Sequence, residues 1–246
     1  MKCIILAAGY ATRLYPLTQN FPKPLLEVGN KTIVDWLIDD IKTANTVDEF
    51  IVVSNHKFVK HFNDWAKDKK NITILDDGTD SNDNRLGAVK DIEFAIERCN
   101  IDDDVMVLAG DNVLDFSMCG FIDYFNNKHK TCVMRYYEED KAKISKSGCL
   151  VIDTADKVHE MMEKPKAPKS NWCCPPFYIY SKEDAKKINK AIDEGAGVDA
   201  PGSFIAWLCK MADIYAFEMP GHRYDIGNLE SYERVKAEYR GMLSGK

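Results

Sequence analysis

The sequence lacks the patterns that mark membrane proteins, polyanion-binding proteins and disulfide-rich or zinc-binding domains. It has no run of 18 apolar residues, which a membrane-spanning helix needs. It has no block of five or six lysines or arginines and carries a net charge of -6, so we expect no nucleic acid and no membrane as a partner. Its eight cysteines include no C-x-x-C pair, and its five histidines include no pair at metal-ligand spacing.

The composition is that of a globular protein with a sizeable core. Of the 246 residues, 45% are hydrophobic and 29% are charged, and no internal repeat or low-complexity linker is present. We therefore predict a single domain, residues 1–246, with an elaborated second half. A charged residue near the start is followed at once by an apolar strand, which leaves no room for a signal peptide, and we expect the protein to be cytoplasmic.

The first half alternates short apolar runs with helical patterns, which is typical of βαβ units. The predicted strands cover residues 2–7, 50–54, 72–75 and 105–109. The predicted helices, in which apolar residues recur three and four positions apart, cover residues 32–44, 58–67 and 87–98. This order predicts an α/β fold with a Rossmann-like, doubly wound, mixed sheet.

After residue 131 the pattern becomes richer in strands. The predicted strands cover residues 131–137, 149–152, 177–180 and 214–217, and the predicted helices cover residues 183–194 and 228–243. A Lys- and Pro-rich segment, residues 163–169, interrupts them. This half is predicted to be a β-rich elaboration that shapes the pocket of a second substrate.

The loop that follows the first strand has the composition of a phosphate-binding loop. Small residues let the backbone approach a phosphate closely, and the segment begins with Leu6, Ala7, Ala8 and Gly9. Arg13 and Lys23 supply positive charge where a triphosphate would lie. No G-x-x-x-x-G-K-[ST] is present and no G-x-G-x-x-G follows a strand, so the two common phosphate motifs are excluded. An ordinary turn with two surface cations is the alternative.

Asp111 is a candidate magnesium ligand. It follows the apolar run 105–109, and the carboxyl ends of parallel strands meet at the edge of the sheet where the first loop also begins. Mg²⁺ prefers one or two carboxylates together with phosphate oxygens and waters. A Gly-Asp-Asn sequence also suits a turn or a helix N-cap, and only its combination with the first loop favours a metal site.

Several segments, in order along the chain, resemble the sugar-phosphate nucleotidylyltransferases. They are residues 6–18 (LAAGYATRLYPLT), 22–26 (PKPLL), 110–112 (GDN), 163–165 (EKP), 168–172 (PKSNW) and 224–227 (YDIG). The glucose-1-phosphate thymidylyltransferases are the branch that the chain resembles most. The resemblance implies a fold of the nucleotide-diphospho-sugar transferase type, with a nucleotide-binding half in residues 1–130 and an acceptor-binding half in residues 131–246.

The resemblance also implies a reaction. The chain is expected to transfer a nucleoside monophosphate from an NTP to a small phosphorylated acceptor, with Mg²⁺ as cofactor. The expected substrates are dTTP or another pyrimidine NTP and glucose 1-phosphate. In this reading Arg13 and Lys23 act in catalysis, Asp111 binds the nucleotide, and Asp111 and Asp225 hold the metal ion.

Three further residues receive roles from the resemblance. Gly87, which opens a helix, would let the nucleobase lie against the backbone, while Glu163 would bind acceptor hydroxyl groups and Lys164 the acceptor phosphate. A solvated, charged loop is the alternative for the last two. The chain departs from the family where Ala11 replaces a frequent glycine. It also departs at residues 173–177 (CCPPF), where two prolines fix a different backbone path and remove two N–H donors.

Two other functions stay open at this point. One is a cytidylyltransferase or related enzyme that acts on phosphocholine, glycerol phosphate or a phosphonate. The other is a non-catalytic regulatory subunit that senses nucleotide sugars, although the joint presence of Arg13, Lys23, Asp111 and Asp225 argues against it. The sequence does not determine the base, the acceptor, feedback regulation or the number of subunits, and a homo-oligomer is compatible with it.

Overall fold

The computed structural model describes residues 1–242. The strands in this range are β1 (Lys2–Leu6), β2 (Glu27–Val28), β3 (Lys31–Thr32), β4 (Glu49–Ser54), β5 (Ile72–Asp76), β6 (Val105–Ala109), β7 (Asn112–Leu114), β8 (Cys132–Tyr137), β9 (Gly148–Ile152), β10 (Val158–Glu163), β11 (Trp172–Cys174), β12 (Phe177–Tyr180), β13 (Tyr215–Glu218) and β14 (Arg223–Asp225). The helices are α1 (Ile33–Thr43), α2 (Val59–Ala66), α3 (Ala88–Arg98), α4 (Cys119–Lys128), α5 (Lys141–Ile144), α6 (Lys182–Ala185), α7 (Ile188–Asp193), α8 (Gly202–Leu208) and α9 (Leu229–Glu238). None of the helices formed by residues 1–242 is long and apolar enough to cross a membrane.

The predicted elements of the first half are confirmed. Strands β1, β4, β5 and β6 and helices α1, α2 and α3 begin and end within one residue of the predicted positions. The strands were recognisable because their apolar runs are continuous, and in β4 every residue from Phe50 to Ser54 is buried. Helix α1 was recognisable from the spacing of its apolar residues, and in the structure Thr32 caps it, accepting a hydrogen bond from the backbone of Asp35 at 3.2 Å.

The second half differs from the prediction in the bounds of two helices and in several additional short elements. Strands β8, β9, β12 and β13 lie where they were expected, but the helix predicted for residues 183–194 is two short helices, α6 and α7. Helix α9 ends at Glu238, and residue 243 of the predicted range lies outside the described residues. Strands β10, β11 and β14 and helices α5 and α8 were not predicted. In β10 a bulge between Val158 and Glu160 breaks the alternation of inward and outward residues that marks a strand.

Residue contacts divide the chain into two units. The first comprises Met1–Arg85, Ala109–Gly120 and residues 220–242 of the described chain, and the second comprises Leu86–Leu108 and Phe121–Met219. Both units draw on segments from both halves of the sequence. A single domain over residues 1–246, with halves 1–130 and 131–246, stays a prediction.

The first unit is built on parallel strands. Strand β1 pairs with β4 and β4 pairs with β5, with Leu6 opposite Val53 and Ser54 opposite Asp76 at their carboxyl ends. Because parallel strands run in one direction, the loops that follow them leave from the same edge. The loop that follows β1 therefore begins at the edge of the sheet where α/β proteins bind their ligands.

A buried asparagine anchors this loop to the sheet. Asn55 is fully buried just after β4, and its side-chain amide donates a hydrogen bond to the carbonyl oxygen of Ala8 at 2.8 Å. Its side-chain oxygen accepts a hydrogen bond from the backbone amide of Phe58 at 3.0 Å. One side chain thus satisfies two buried backbone groups and fixes the start of the loop.

A hydrophobic cluster joins three distant parts of the first unit. It contains Leu14 from the first loop, Val113 from β7 and Ile226 from the segment after β14, and helix α9 covers them. The buried members are Leu14, Leu26, Val28, Ile33, Val113, Ile226, Tyr232, Val235 and Tyr239. Leu14, Val113 and Ile226 each lie within two positions of a candidate site residue. The packing of this cluster therefore also brings those site residues together.

The second unit is mainly antiparallel. Its strands follow the order β10, β9, β11, β8, β12 and β6, and β13 pairs with β8 in parallel. Helix α8 packs against β10 and helix α3 against α7. Parallel pairing in the first unit and mainly antiparallel pairing in the second agree with the predicted mixed α/β fold and its strand-rich second half.

We expect Asn55→Ala to lower the free energy of unfolding by about 1 to 3 kcal/mol, because it leaves the Ala8 carbonyl buried without this partner, while the Phe58 amide keeps its 3.2 Å hydrogen bond to the backbone carbonyl of residue 55. Denaturant unfolding followed by circular dichroism measures this change. Asn63→Ala, an exposed change in helix α2, is the matched control and should alter stability by less than about 0.5 kcal/mol. Equal losses in the two variants would contradict the anchoring role.

Candidate functional site

The backbone at the start of the first loop is tied to two neighbouring segments. The carbonyl of Leu6 accepts a hydrogen bond from the amide of Gly110 at 3.0 Å, and the amide of Ala7 donates to the carbonyl of Val53 at 2.9 Å. Gly9 is exposed, and a Cβ atom added to it would have no other group within 4 Å. Open space therefore adjoins the backbone at the position where a phosphate is expected.

The loop then makes a tight turn at Ala11. This residue has φ 46° and ψ 42°, the left-handed region, and the short 3₁₀ helix Thr12–Leu14 follows it. The carbonyl of Ala11 accepts hydrogen bonds from the amide of Leu14 at 2.9 Å and from the hydroxyl of Thr18 at 2.8 Å. The turn therefore determines the direction of the Arg13 side chain, since Arg13 belongs to this 3₁₀ helix.

Lys23 and Asp111 form an ion pair. Their Nζ and Oδ2 atoms are 2.9 Å apart, although the residues are 88 positions apart in the sequence. Lys23 is 5% exposed, whereas the Asp111 side chain is 42% exposed. Because a buried ammonium is costly without a partner, Asp111 stabilises the charged form of Lys23.

The same contact keeps Asp111 ionised. Burial acts to raise the pKa of Asp111, but Lys23, and to a smaller extent Arg223, outweigh it and hold the pKa below its ordinary value. A carboxyl group with a lowered pKa is fully charged at neutral pH. Asp111 therefore offers an anionic oxygen at neutral pH.

An asparagine and an arginine extend this ion pair into a network. The Asn112 side chain donates to Asp111 Oδ1 at 2.8 Å and accepts from Arg223 Nη1 at 2.8 Å. Sequence reasoning missed Arg223. The available signal was its place two residues before Asp225, because residues i and i+2 of a strand lie on the same face.

The side chains of Arg13 and Asp225 both lie close to Gly227. A Cβ atom added to Gly227 would lie 3.8 Å from Arg13 Nη1 and 3.9 Å from Asp225 Oδ2. Asp225 is also the cross-strand partner of Asn112 in the β7–β14 pair. The first unit thus brings together Arg13, Lys23, Asp111 and Asp225.

The donor set suits a magnesium ion. Residues 1–242 contain no group of three or more His, Cys, Asp or Glu side chains arranged to bind a metal. Two carboxylates lie next to Asn112: Asp111 precedes it in the sequence, and Asp225 is its cross-strand partner. Mg²⁺ commonly takes one or two carboxylates and completes its shell with phosphate oxygens and waters. The residues present therefore fit an ion that arrives with a phosphate ligand.

The acidic segment after β5 organises its own turns. Asp76 accepts a hydrogen bond from the amide of Gly78 at 2.9 Å, and Asp77 accepts from the amide and hydroxyl of Thr79 at 2.7 Å. Burial raises the pKa of Asp77, and its hydrogen bonds with Thr79 oppose this. These carboxylates therefore cap the turns of their own segment.

Gly87 belongs to the second unit and opens helix α3 with φ 94°. A Cβ atom added there would lie 2.5 Å from the carbonyl oxygen of Val198. The amides of Ala88 and Val89 donate to the carbonyls of Asp199 and Val198, at 3.2 and 2.9 Å. Both its backbone conformation and this close approach require glycine at position 87.

Glu163 and Lys164 also belong to the second unit, at the end of β10. Glu163 is half-buried, and burial raises its pKa while Lys164 opposes the shift. Lys164 has φ 46°, and its amide donates to the carbonyl of Ser147 at 3.0 Å. A bulky residue held in the left-handed region is an unfavourable conformation of the kind that clusters at functional sites.

Comparison with known proteins identifies the family. The sequence profile described as nucleotidyl transferase matches residues 2–241. The chain belongs to this family. A solved structure from Bacillus anthracis, described as a glucose-1-phosphate thymidylyltransferase in complex with a sucrose, has a TM-score of 0.79 and 23% identity, and the match covers 100% of this chain and 98% of that one. This similarity confirms the predicted fold.

Sequence relatives of this nucleotidyl transferase carry different substrate names. A mannose-1-phosphate guanyltransferase of Sulfolobus acidocaldarius is 26% identical over 97% of this chain and 63% of its own length. The UTP-glucose-1-phosphate uridylyltransferase AglF of Haloferax volcanii is 26% identical over 98% of this chain and 96% of its own length. The chain spans 57% to 63% of the length of the first three relatives.

In this nucleotidyl transferase we expect Ala11→Gly to raise the free energy of unfolding by up to about 1 kcal/mol. Glycine adopts the left-handed region without the steric cost that an L-alanine has, although it also gives the unfolded chain more freedom. Ala8→Gly is the matched control, because Ala8 has no positive φ, and it should lower stability by about 0.5 to 1 kcal/mol. Similar losses in both variants in thermal unfolding would contradict the strain at Ala11.

Proposed function

We propose that this chain transfers a nucleoside monophosphate from an NTP to a sugar 1-phosphate and releases pyrophosphate. The observation that carries the proposal is the cluster of Arg13, Lys23, Asp111 and Asp225 in a member of the nucleotidyl transferase family. Within this activity we favour a pyrimidine NTP, dTTP first, and glucose 1-phosphate.

The first unit would bind the triphosphate. The backbone that begins at Leu6, Ala7, Ala8 and Gly9 offers a close approach, and Arg13 and Lys23 offset the negative charge of the phosphates. Lys23 is suited to this because Asp111 holds its ammonium in one orientation at 2.9 Å. Gly87 would adjoin the nucleobase.

Asp111 and Asp225 would hold Mg²⁺. The bound ion would neutralise charge on the phosphate oxygens during transfer, which is its usual contribution to phosphoryl chemistry. Asn112 keeps the Asp111 carboxylate oriented through its 2.8 Å hydrogen bond. The ordered carboxylate therefore needs little rearrangement when the nucleotide arrives.

The acceptor would bind to the second unit, with its phosphate on Lys164 and its hydroxyl groups on Glu163. An oxygen of the acceptor phosphate attacks the α-phosphorus, the bond from the α-phosphorus to the bridging oxygen breaks, and pyrophosphate leaves. The acceptor phosphate is already anionic at neutral pH, so alignment and charge neutralisation suffice and no general base is needed.

A matrix of NTPs against acceptors tests the proposal. The acceptors are sugar 1-phosphates, choline phosphate and glycerol phosphates, and pyrophosphate release is measured with Mg²⁺ and with EDTA. We expect release with a sugar 1-phosphate that stops in EDTA, because the two carboxylates need an ion to engage the phosphates. Release only with choline phosphate or glycerol phosphate would replace the sugar proposal, and no release with any pair would contradict the activity.

Two isosteric variants test the proposed metal ligand Asp225, one as the test and one as its control. Asp225→Asn should lower kcat by about 100-fold or more, because it removes one anionic ligand from the ion. Asp83→Asn, an exposed change in the acidic segment, should leave kcat unchanged.

We expect Lys164→Ala to raise the acceptor KM about tenfold or more while the KM for the NTP stays within about twofold, because a cation on the acceptor phosphate is lost. Steady-state kinetics with each substrate varied in turn measures both constants. Lys166→Ala, an exposed lysine two residues further on, is the matched control and should change neither constant. An unchanged acceptor KM in Lys164→Ala would remove this residue from the acceptor site.

A further inference from the structure

Gly202, the first residue of helix α8, lies directly against the carboxylate of Glu163. A Cβ atom added to Gly202 would overlap Glu163 Oε2 and the terminal methyl of Met161. No positive φ explains the glycine, because Gly202 is absent from the residues of the described chain with left-handed backbone. The space that a side chain would fill is occupied by the Glu163 carboxylate, and this close approach is the reason for a glycine.

Glu163 is held by packing and not by hydrogen bonds. Within residues 1–242 no group donates a hydrogen bond to its carboxylate, and the side chain is half-buried. Met161 and Glu163 lie two positions apart on β10 and so project from the same face. Gly148, the cross-strand partner of Glu163, also leaves room for Met161, whose methyl would lie 2.5 Å from a Cβ atom there.

A half-buried carboxylate that accepts no hydrogen bond from the described residues can accept them from water or from a bound ligand. Its two oxygens can accept several hydrogen bonds, and hydroxyl groups of a bound molecule can supply them. Such a group selects its ligand only if its direction is fixed. In this chain the direction of the Glu163 carboxylate is fixed by the methyl of Met161 and by the space beside Gly202, which has no side chain.

We propose that Gly202 is a positioning residue that sets the orientation of Glu163 toward acceptor hydroxyl groups. The inference rests on the proposed function, in which Glu163 binds the acceptor. It adds a determinant of acceptor binding outside the predicted site residues, on a segment that also packs against Gly87 through Val198.

Gly202→Ala tests the proposal. We expect the acceptor KM to rise about 10- to 100-fold, because a displaced carboxylate no longer meets the hydroxyl groups, while the KM for the NTP stays within about twofold. In a ¹³C NMR titration the Glu163 pKa should fall toward its ordinary value, because the added methyl displaces the carboxylate toward water. Thermal unfolding should show a folded protein, since alanine favours a helix more than glycine does.

Two further variants separate positioning from a general effect of the added methyl group. Gly197→Ala, where a Cβ atom would meet only the Ser203 side chain at 3.0 Å, is the matched control and should change neither KM nor the titration. In Gly202→Ala combined with Glu163→Asp, the shorter carboxylate clears the added methyl, so the acceptor KM should rise by less than the product of the two single effects.

The outcomes distinguish this inference from the proposed function. A wild-type acceptor KM in Gly202→Ala, an unchanged Glu163 titration, or fully multiplicative effects in the double variant would overturn the positioning role and leave the proposed function standing. A wild-type chain that transfers to no acceptor would overturn the proposed function and, with it, the role of Gly202 in acceptor binding.

Discussion

The ion pair between Lys23 and Asp111 is the interaction on which the first unit's site depends. Lys23 is 5% exposed, so its charge is tolerated only beside a carboxylate, and Asp111 in turn remains ionised because Lys23 is there. The two residues are 88 positions apart, so the pair forms only after the first loop has reached the turn before β7. One contact thus couples folding of the loop to the charge state of the proposed metal ligand.

Packing beneath this pair determines where the other site residues lie. Leu14, Val113 and Ile226 belong to one hydrophobic cluster, and each is close in sequence to a charged residue of the proposed site. Burial of these apolar neighbours supplies the free energy that holds Arg13, Asp111 and Asp225 near each other, against the cost of ordering charged side chains. The polar network through Asn112 and Arg223 then sets the orientation of the Asp111 carboxylate.

The second unit relies on backbone conformation and close packing. Lys164 has a left-handed backbone, Gly87 lies against the carbonyl of Val198, and Gly202 lies against Glu163. Each of these arrangements restricts the backbone or the residue type at its position. Each also places the backbone or a charged group of the proposed acceptor and nucleobase sites. The proposed function and the inference about Gly202 both depend on this close packing.

The sequence by itself determined four strands and three helices of the first half and the residue types of the chemistry. Continuous apolar runs predicted β1, β4, β5 and β6, and apolar residues recurring three and four positions apart predicted α1, α2 and α3. The sequence analysis missed β10, whose bulge interrupts the alternation of a strand, and it missed Arg223 and Gly202. Both residues matter because of contacts with distant segments. Arg223 donates to the side-chain amide oxygen of Asn112, and Gly202 lies against the carboxylate of Glu163. Only the tertiary structure decides such contacts, since local patterns carry no information about which distant side chain will fill a given space.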